Sequence, residues 1–133
     1  MTQRAPSPAR KKIPRTVVAA IDAAGILGVR AGARSDHRFT GVWPVVVNGR
    51  VFARSWNVAP TGWYHAFLAD PSGVLQVGDR IVRVRAVRVR SEQLRDAVER
   101  AYAEKYTTAA SRKWVRGFRA ARRRDATVEF VSR

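Results

Sequence analysis

The residues of this sequence best suited to chemistry are arginines, tryptophans and small polar side chains grouped around one predicted hairpin. Guanidinium and hydroxyl groups donate hydrogen bonds to phosphate, and indoles offer flat surfaces to rings. The pattern predicts a site for a phosphate-bearing ring, with the arginines and serines on the phosphate and the tryptophans beside the ring. The alternative is that the tryptophans are core anchors and the arginines are solvated. The set comprises Arg34, Ser35, Arg38, Trp43, Arg54, Ser55, Trp56, Asn57, Trp63 and Tyr64.

A second basic cluster, with Trp114 and Phe118 interleaved, lies near the end of the chain. Basic side chains around aromatic rings suit nucleic-acid backbones and bases, which makes a nucleic-acid-binding module the alternative function. The alternative interpretation is that these residues form a solvated loop at the end of a helix and bind no ligand. The cluster comprises Arg112, Lys113, Arg116, Arg119, Arg122, Arg123 and Arg124.

No conventional catalytic set is visible, so whether the protein is an enzyme is left open. The sequence has no cysteine and two histidines, which are too few for a conventional zinc cluster, and we expect no metal. It has no phosphate-binding Walker loop and no nucleophile elbow. Ser35, Asp36 and His37 are adjacent, and neighbouring residues seldom converge into a triad.

Charge is the outstanding property of the composition. The 133 residues hold 26 Lys and Arg against 10 Asp and Glu, a formal net charge of +16, which attracts anionic partners. The alternative explanation is base composition, because a GC-rich genome encodes arginine-rich, lysine-poor chains whatever their function. An acidic protein is therefore a third class of partner beside a phosphate-bearing ligand and nucleic acid, and a homodimer stays open. No apolar run approaches the ~20 residues of a membrane span, so we expect a cytoplasmic protein without membrane contact.

Two segments are predicted along the chain. Residues 1–12 hold prolines, small polar residues and four positive charges without an acid, which is typical of a flexible basic arm. Residues 13–133 are long enough for one domain and too short for two independent cores.

Turn signals predict mostly antiparallel strands. Asn48-Gly49 supplies the positive φ angles of a type I′ hairpin, and Gly78-Asp79 suits a type II′ hairpin. Residues 80–90 alternate valine with arginine, and a bulge near Ala86-Val87 would keep every arginine outside. With a helix over 92–106 and a last strand over 127–131, the sequence predicts an α+β fold: a small split barrel of about six mostly antiparallel strands with flanking helices.

Several short stretches carry a family resemblance. They are Arg34 to Gly41, Arg54-Ser55, Trp63-Tyr64 and Ala69-Asp70-Pro71. Residues 34–70 resemble the deazaflavin-dependent nitroreductase group of flavin- or deazaflavin-binding split-barrel proteins. The resemblance implies an FMN- or deazaflavin-binding protein or oxidoreductase, in which the cofactor carries the redox chemistry.

A closer resemblance covers most of residues 13–132. It is to an uncharacterised bacterial domain family related to that fold, and it implies no function by itself. It rests on Gly41-Val42-Trp43-Pro44, Arg54-Ser55-Trp56-Asn57, Gly62-Trp63-Tyr64 and Ser111-Arg112-Lys113.

Overall fold

The structure is a computed structural model that describes residues 12–32 and 38–133. Within these ranges it contains five helices and seven strands. The helices are α1 (Arg15–Ala23), α2 (Trp63–Ala69), α3 (Glu92–Lys105), α4 (Ala109–Gly117) and α5 (Ala121–Asp125). The strands are β1 (Leu27–Ala31), β2 (Thr40–Val42), β3 (Pro44–Val47), β4 (Arg50–Arg54), β5 (Ser72–Val77), β6 (Arg80–Arg88) and β7 (Thr127–Ser132).

The strands form one sheet in the order β2-β1-β5-β6-β7-β4-β3, and every neighbouring pair is antiparallel. The sheet curls into a nearly closed barrel with the helices around it. The predicted α+β split barrel is therefore confirmed. The prediction of about six strands missed β2, which has three residues and contains Gly41.

Both predicted hairpin turns are present. Asn48 and Gly49 have φ angles of 52° and 75°, the two left-handed positions that a type I′ turn between β3 and β4 needs. Gly78 has a φ of 60° between β5 and β6, which fits the first position of a type II′ turn. Pro44 begins the edge strand β3, where its missing N–H costs no ladder bond.

The apolar residues form two cores, one on each side of the sheet. The barrel interior is filled from the strands and closed by α1 and α2, with Leu27, Leu75 and Phe130 among its buried members. The second core lies outside the barrel, where α3 and α4 cover β3 and β4; Phe52 and Tyr102 are completely buried there. Strand β4 is consequently buried on both faces.

The predicted bulge near Ala86-Val87 is wrong. The register between β6 and β7 runs without interruption from Val84 opposite Ser132 to Arg88 opposite Val128. No slip is needed because Val84 faces the barrel interior while Val89, beyond the end of β6, enters the second core. A regular strand therefore buries both valines, because one face of β6 meets the barrel interior and the opposite face, just past its end, meets the second core.

Helix α3 starts as the sequence predicts. The Ser91 Oγ accepts a hydrogen bond from the Leu94 backbone N at 3.2 Å, and Glu92 occupies the positive first turn. None of the helices in the described part of the chain is long and apolar enough to cross a membrane. The predicted arm at 1–12 lies outside the described residues except for Lys12 and stays a prediction.

Candidate functional site

A cleft of about 330 Å³ opens where β2, β4, α2 and α4 meet. Its walls contain all four tryptophans of the sequence. Strand ends and helix ends place them there, because Trp43 joins β2 to β3, Trp56 follows β4, Trp63 begins α2 and Trp114 lies on α4. The complete lining is Gly41, Val42, Trp43, Arg54, Trp56, Trp63, Trp114 and Phe118.

Trp43 is held in place by Tyr106, which lies behind it. Its ring stacks on Tyr106 with 4.4 Å between ring centroids and meets Phe118 edge-on at 6.5 Å. The Tyr106 hydroxyl donates to the Pro44 carbonyl oxygen at 2.8 Å, so the stacking partner is itself fixed. Burial raises the pKa of Tyr106, which keeps this hydroxyl protonated and able to donate.

Trp56 forms another part of the wall, held between aromatic and cationic groups. Its ring centroid lies 4.7 Å from that of Trp114 and 5.6 Å from that of Phe118. The guanidinium carbon of Arg123 sits 3.5 Å from the Trp56 ring centroid, a cation–π contact. Arg123 Nε also donates to the Trp56 carbonyl oxygen at 3.0 Å. This wall is therefore preorganised.

Trp63 stands on the barrel side of the cleft. It packs edge-on against Phe67 at 6.2 Å between centroids and lies 6.3 Å from Phe130, both members of the interior core. The neighbouring Tyr64 points inward and donates its hydroxyl to the Asp125 carbonyl oxygen at 3.1 Å. The structure thus brings Trp43, Trp56 and Trp63 together as predicted neighbours and leaves Tyr64 as a support.

Arg54 does not have the free phosphate-binding head that the sequence suggested. Its side chain is completely buried, and its Nη1 donates to the Glu99 carboxylate and to the Phe118 carbonyl oxygen, each at 3.0 Å. Its Nε donates to Thr127 Oγ1 at 2.8 Å and its Nη2 to the Arg95 carbonyl oxygen at 3.0 Å. Burial lowers the pKa of Arg54 and the Glu99 carboxylate opposes that shift. Arg54 ties the floor of the cleft to α3 and α4.

Ser55 and Asn57 shape the loop after β4. The buried Ser55 Oγ donates to the Asn57 carbonyl oxygen at 2.6 Å, and Asn57 Oδ1 accepts from the Ala59 backbone N at 2.9 Å. Neither lines the cleft. Arg38 is exposed, and Arg34 and Ser35 lie outside the described residues.

The second basic cluster separates into two groups. Arg124 is held by three carboxylates, those of Glu92, Asp96 and Glu99, at 2.8–2.9 Å, and these acids raise the pKa of Arg124. Arg123 is committed to Trp56. The remaining members are exposed: Arg112, Lys113, Arg116, Arg119 and Arg122.

Two residues of the cleft, Trp114 and Phe118, were assigned by the sequence only to the basic cluster. Their approach to Trp56 joins segments about sixty residues apart, which no local pattern reveals. Across the two described ranges, no three His, Asp or Glu side chains gather in a way that could hold a metal ion.

Gly117 leaves room for the Trp56 ring at the end of α4. A Cβ at this position would collide with the indole, whereas a Cβ on Gly25 would meet open space. We expect Gly117→Ala to displace Trp56, change the tryptophan emission spectrum and destabilise the fold by about 1–3 kcal/mol, the usual cost of overpacking. Urea denaturation and fluorescence measure both effects. Gly25→Ala is the control, and equal behaviour of the two variants would refute the close approach.

The fold and cleft define a class, the small split-barrel proteins. Among the solved structures that share the fold, two have the following similarity to this chain. A conserved hypothetical protein, Rv2991 from Mycobacterium tuberculosis, has a TM-score of 0.58 at 14% identity over 98% of this chain and 84% of its own. An F420-H2 dependent reductase (FDR-A) has a TM-score of 0.55 at 19% identity over 80% of this chain and 92% of its own.

Within that class, the chain belongs to a bacterial family described as "uncharacterized protein conserved in bacteria (DUF2255)", whose model matches residues 17–130. The predicted membership of a bacterial family related to the split barrels is confirmed. A search of curated protein sequences returns no significant match.

Proposed function

We propose that this protein binds a flavin or deazaflavin ring in the tryptophan-lined cleft and acts as a split-barrel oxidoreductase or cofactor-binding protein. The observation that carries the proposal is the convergence of all four tryptophans on one open cleft. Aromatic side chains are costly to leave partly exposed, and planar ligands recover that cost by stacking. Likeness to a protein named as an F420-H2 dependent reductase supports a deazaflavin in particular.

The residues present fit the ring part of such a cofactor. Trp43 and Trp56 have fixed orientations, and Gly41 keeps the β2 side of the cleft free of a side chain. Hydride transfer would be supplied by the bound ring, while the indole walls exclude water and orient it. No described side chain in the lining other than Arg54 is charged.

The phosphate group of the cofactor must therefore lie at the rim. Arg54 is bound beneath the floor of the cleft, so among the described residues the predicted phosphate contact that remains exposed is Arg38. Arg38 lies three residues before Gly41, about 10 Å along an extended chain. Lys113, beside Trp114 with its Nζ 5.5 Å from the indole centroid, is the cation on the α4 side.

Trp114 is the wall residue whose removal tests the proposal most directly. Trp114 is 41% exposed, the most of the four tryptophans, so truncation to alanine should cost less stability here than at the other three. Loss of one aromatic contact worth about 0.5–1.5 kcal/mol should weaken cofactor binding by about tenfold at most. Titration of FMN and of a deazaflavin, followed by cofactor fluorescence anisotropy, measures this without relying on the tryptophan signal.

Ile81→Ala is the matched control, because Ile81 is 55% exposed on β6 and away from the cleft. We expect wild-type affinity from this variant. Binding of neither cofactor below the millimolar range would refute the proposed function. Equal weakening by Ile81→Ala and Trp114→Ala would refute its location.

A further inference from the structure

Three arginines surround a second hollow, on the side of α4 away from the cleft. The hollow has a volume of about 290 Å³; Arg112, Arg116 and Arg119 line it, and Ala103, Tyr106 and Val115 form the rest of its wall. Arg112 and Arg116 are four residues apart and so lie on the same helix face. Trp114 is about 200° from each of them at 100° per residue, so the hollow and the tryptophan cleft occupy opposite sides of α4.

Within the described ranges, the three arginines of the hollow take no part in the ion pairs of the surrounding helices. Glu92, Asp96, Glu99 and Asp125 are engaged by arginines that belong to the internal network: Arg54, Arg95 and Arg124. Among the described residues, no ion pair involves the three arginines of the hollow. Each of these four carboxylates already binds an arginine of that network, and the described lining of the hollow itself holds three cations and no acid, so its local potential is positive.

The positive surface continues beyond the hollow. On α3 the exposed Arg100 lines an adjoining groove together with Ala103 and Arg119. A single small anion could engage only part of this face. An extended ligand carrying a negative charge at regular intervals could engage it as a whole, and arginine binds phosphate oxygens in bidentate fashion.

We propose that this face, the arginine face, binds the phosphate backbone of a nucleic acid, with Arg112, Arg116 and Arg119 as its central contacts. The exposed Ala103 of α3 supplies an apolar edge of the hollow beside these arginines. Arg123 and Arg124 are excluded from the interface because their guanidinium groups hold Trp56 and the α3 carboxylates. The inference goes beyond the proposed cofactor function and depends on different residues.

The test compares two triple variants of equal charge. One replaces Arg112, Arg116 and Arg119 by alanine; the matched control replaces three exposed arginines of β6, Arg80, Arg83 and Arg85. Fluorescence anisotropy with a labelled single-stranded and a labelled duplex oligonucleotide gives affinity over a range of salt concentrations. Each phosphate contact adds about 0.9 to the slope of log affinity against log salt on duplex DNA, and about 0.7 on single strands.

We expect the first variant to flatten the slope by up to three such increments and to weaken binding at least tenfold at low salt. The control should keep the wild-type slope. A lysine version of the first variant should recover most of the slope, because the contacts are carried by charge. Absence of binding to both oligonucleotides at about 50 mM salt, where such contacts dominate, would overturn the inference. An equal change in both triple variants would also overturn it, since net charge alone would then explain the binding.

Discussion

Replacement of Arg54 by alanine is expected to destabilise the protein by about 3–5 kcal/mol. The guanidinium is completely buried and donates to Glu99, Phe118, Arg95 and Thr127. Removing one member of a buried ion pair costs this much because the partner and several carbonyl groups lose their donors inside the protein. The loss includes the contact that holds the end of α4 against the floor of the cleft.

Arg124→Ala is the appropriate comparison, since Arg124 binds the same Glu99 carboxylate from the surface. Its side chain is 18% exposed, but two of its three carboxylate partners are more than half exposed, so we expect a smaller loss than in Arg54→Ala. Urea denaturation of both variants gives the difference from the midpoints if the slopes agree. A loss of under 1 kcal/mol in Arg54→Ala, or equal losses in the two variants, would show that the buried network does not hold α4.

The mistaken assignment of Arg54 shows where strand alternation stops being informative. Alternation correctly places Phe52 and Arg54 on one face of β4, opposite Val51 and Ala53. It cannot tell whether that face meets solvent. In this fold α3 and α4 cover it, and the cover is built from residues about forty to sixty positions later in the chain.

Local turn chemistry predicted the fold better than it predicted the site. Asn48-Gly49 and Gly78-Asp79 carry their backbone preferences in their own residue types, and both turns formed. Strand β2 was missed because Thr40–Val42 is held by pairing with β1 rather than by its own composition. The cleft depends on the same kind of distant contact, between Trp56 and Trp114.

Tyr102→Phe is expected to produce the second large effect, because one hydroxyl joins two strand ends. The Tyr102 hydroxyl accepts from the Arg54 backbone N at 2.9 Å and donates to the Trp43 carbonyl oxygen at 2.6 Å. The ladder between β3 and β4 reaches Pro44 opposite Ala53, so the hydroxyl bridges the next position of the ladder. Phenylalanine would leave two buried backbone groups without this partner, at roughly 1–3 kcal/mol each.

Tyr64→Phe removes a single hydrogen bond, from the Tyr64 hydroxyl to the Asp125 carbonyl oxygen, and should cost about 1 kcal/mol. Alkaline pH gives a second measure of the Tyr102 contact. Burial raises the pKa of Tyr102, so the folded protein keeps a proton that the unfolded chain loses above a pH of about 10. The wild type should therefore lose stability as pH rises through that value, by up to about 1.4 kcal/mol per pH unit from this group. Tyr102→Phe should show a shallower decline in urea denaturation between about pH 9 and 11, a range that brackets the unfolded tyrosine pKa. An unchanged pH dependence, with a loss no larger than that of Tyr64→Phe, would mean that Tyr102 does not join Trp43 to the end of β4.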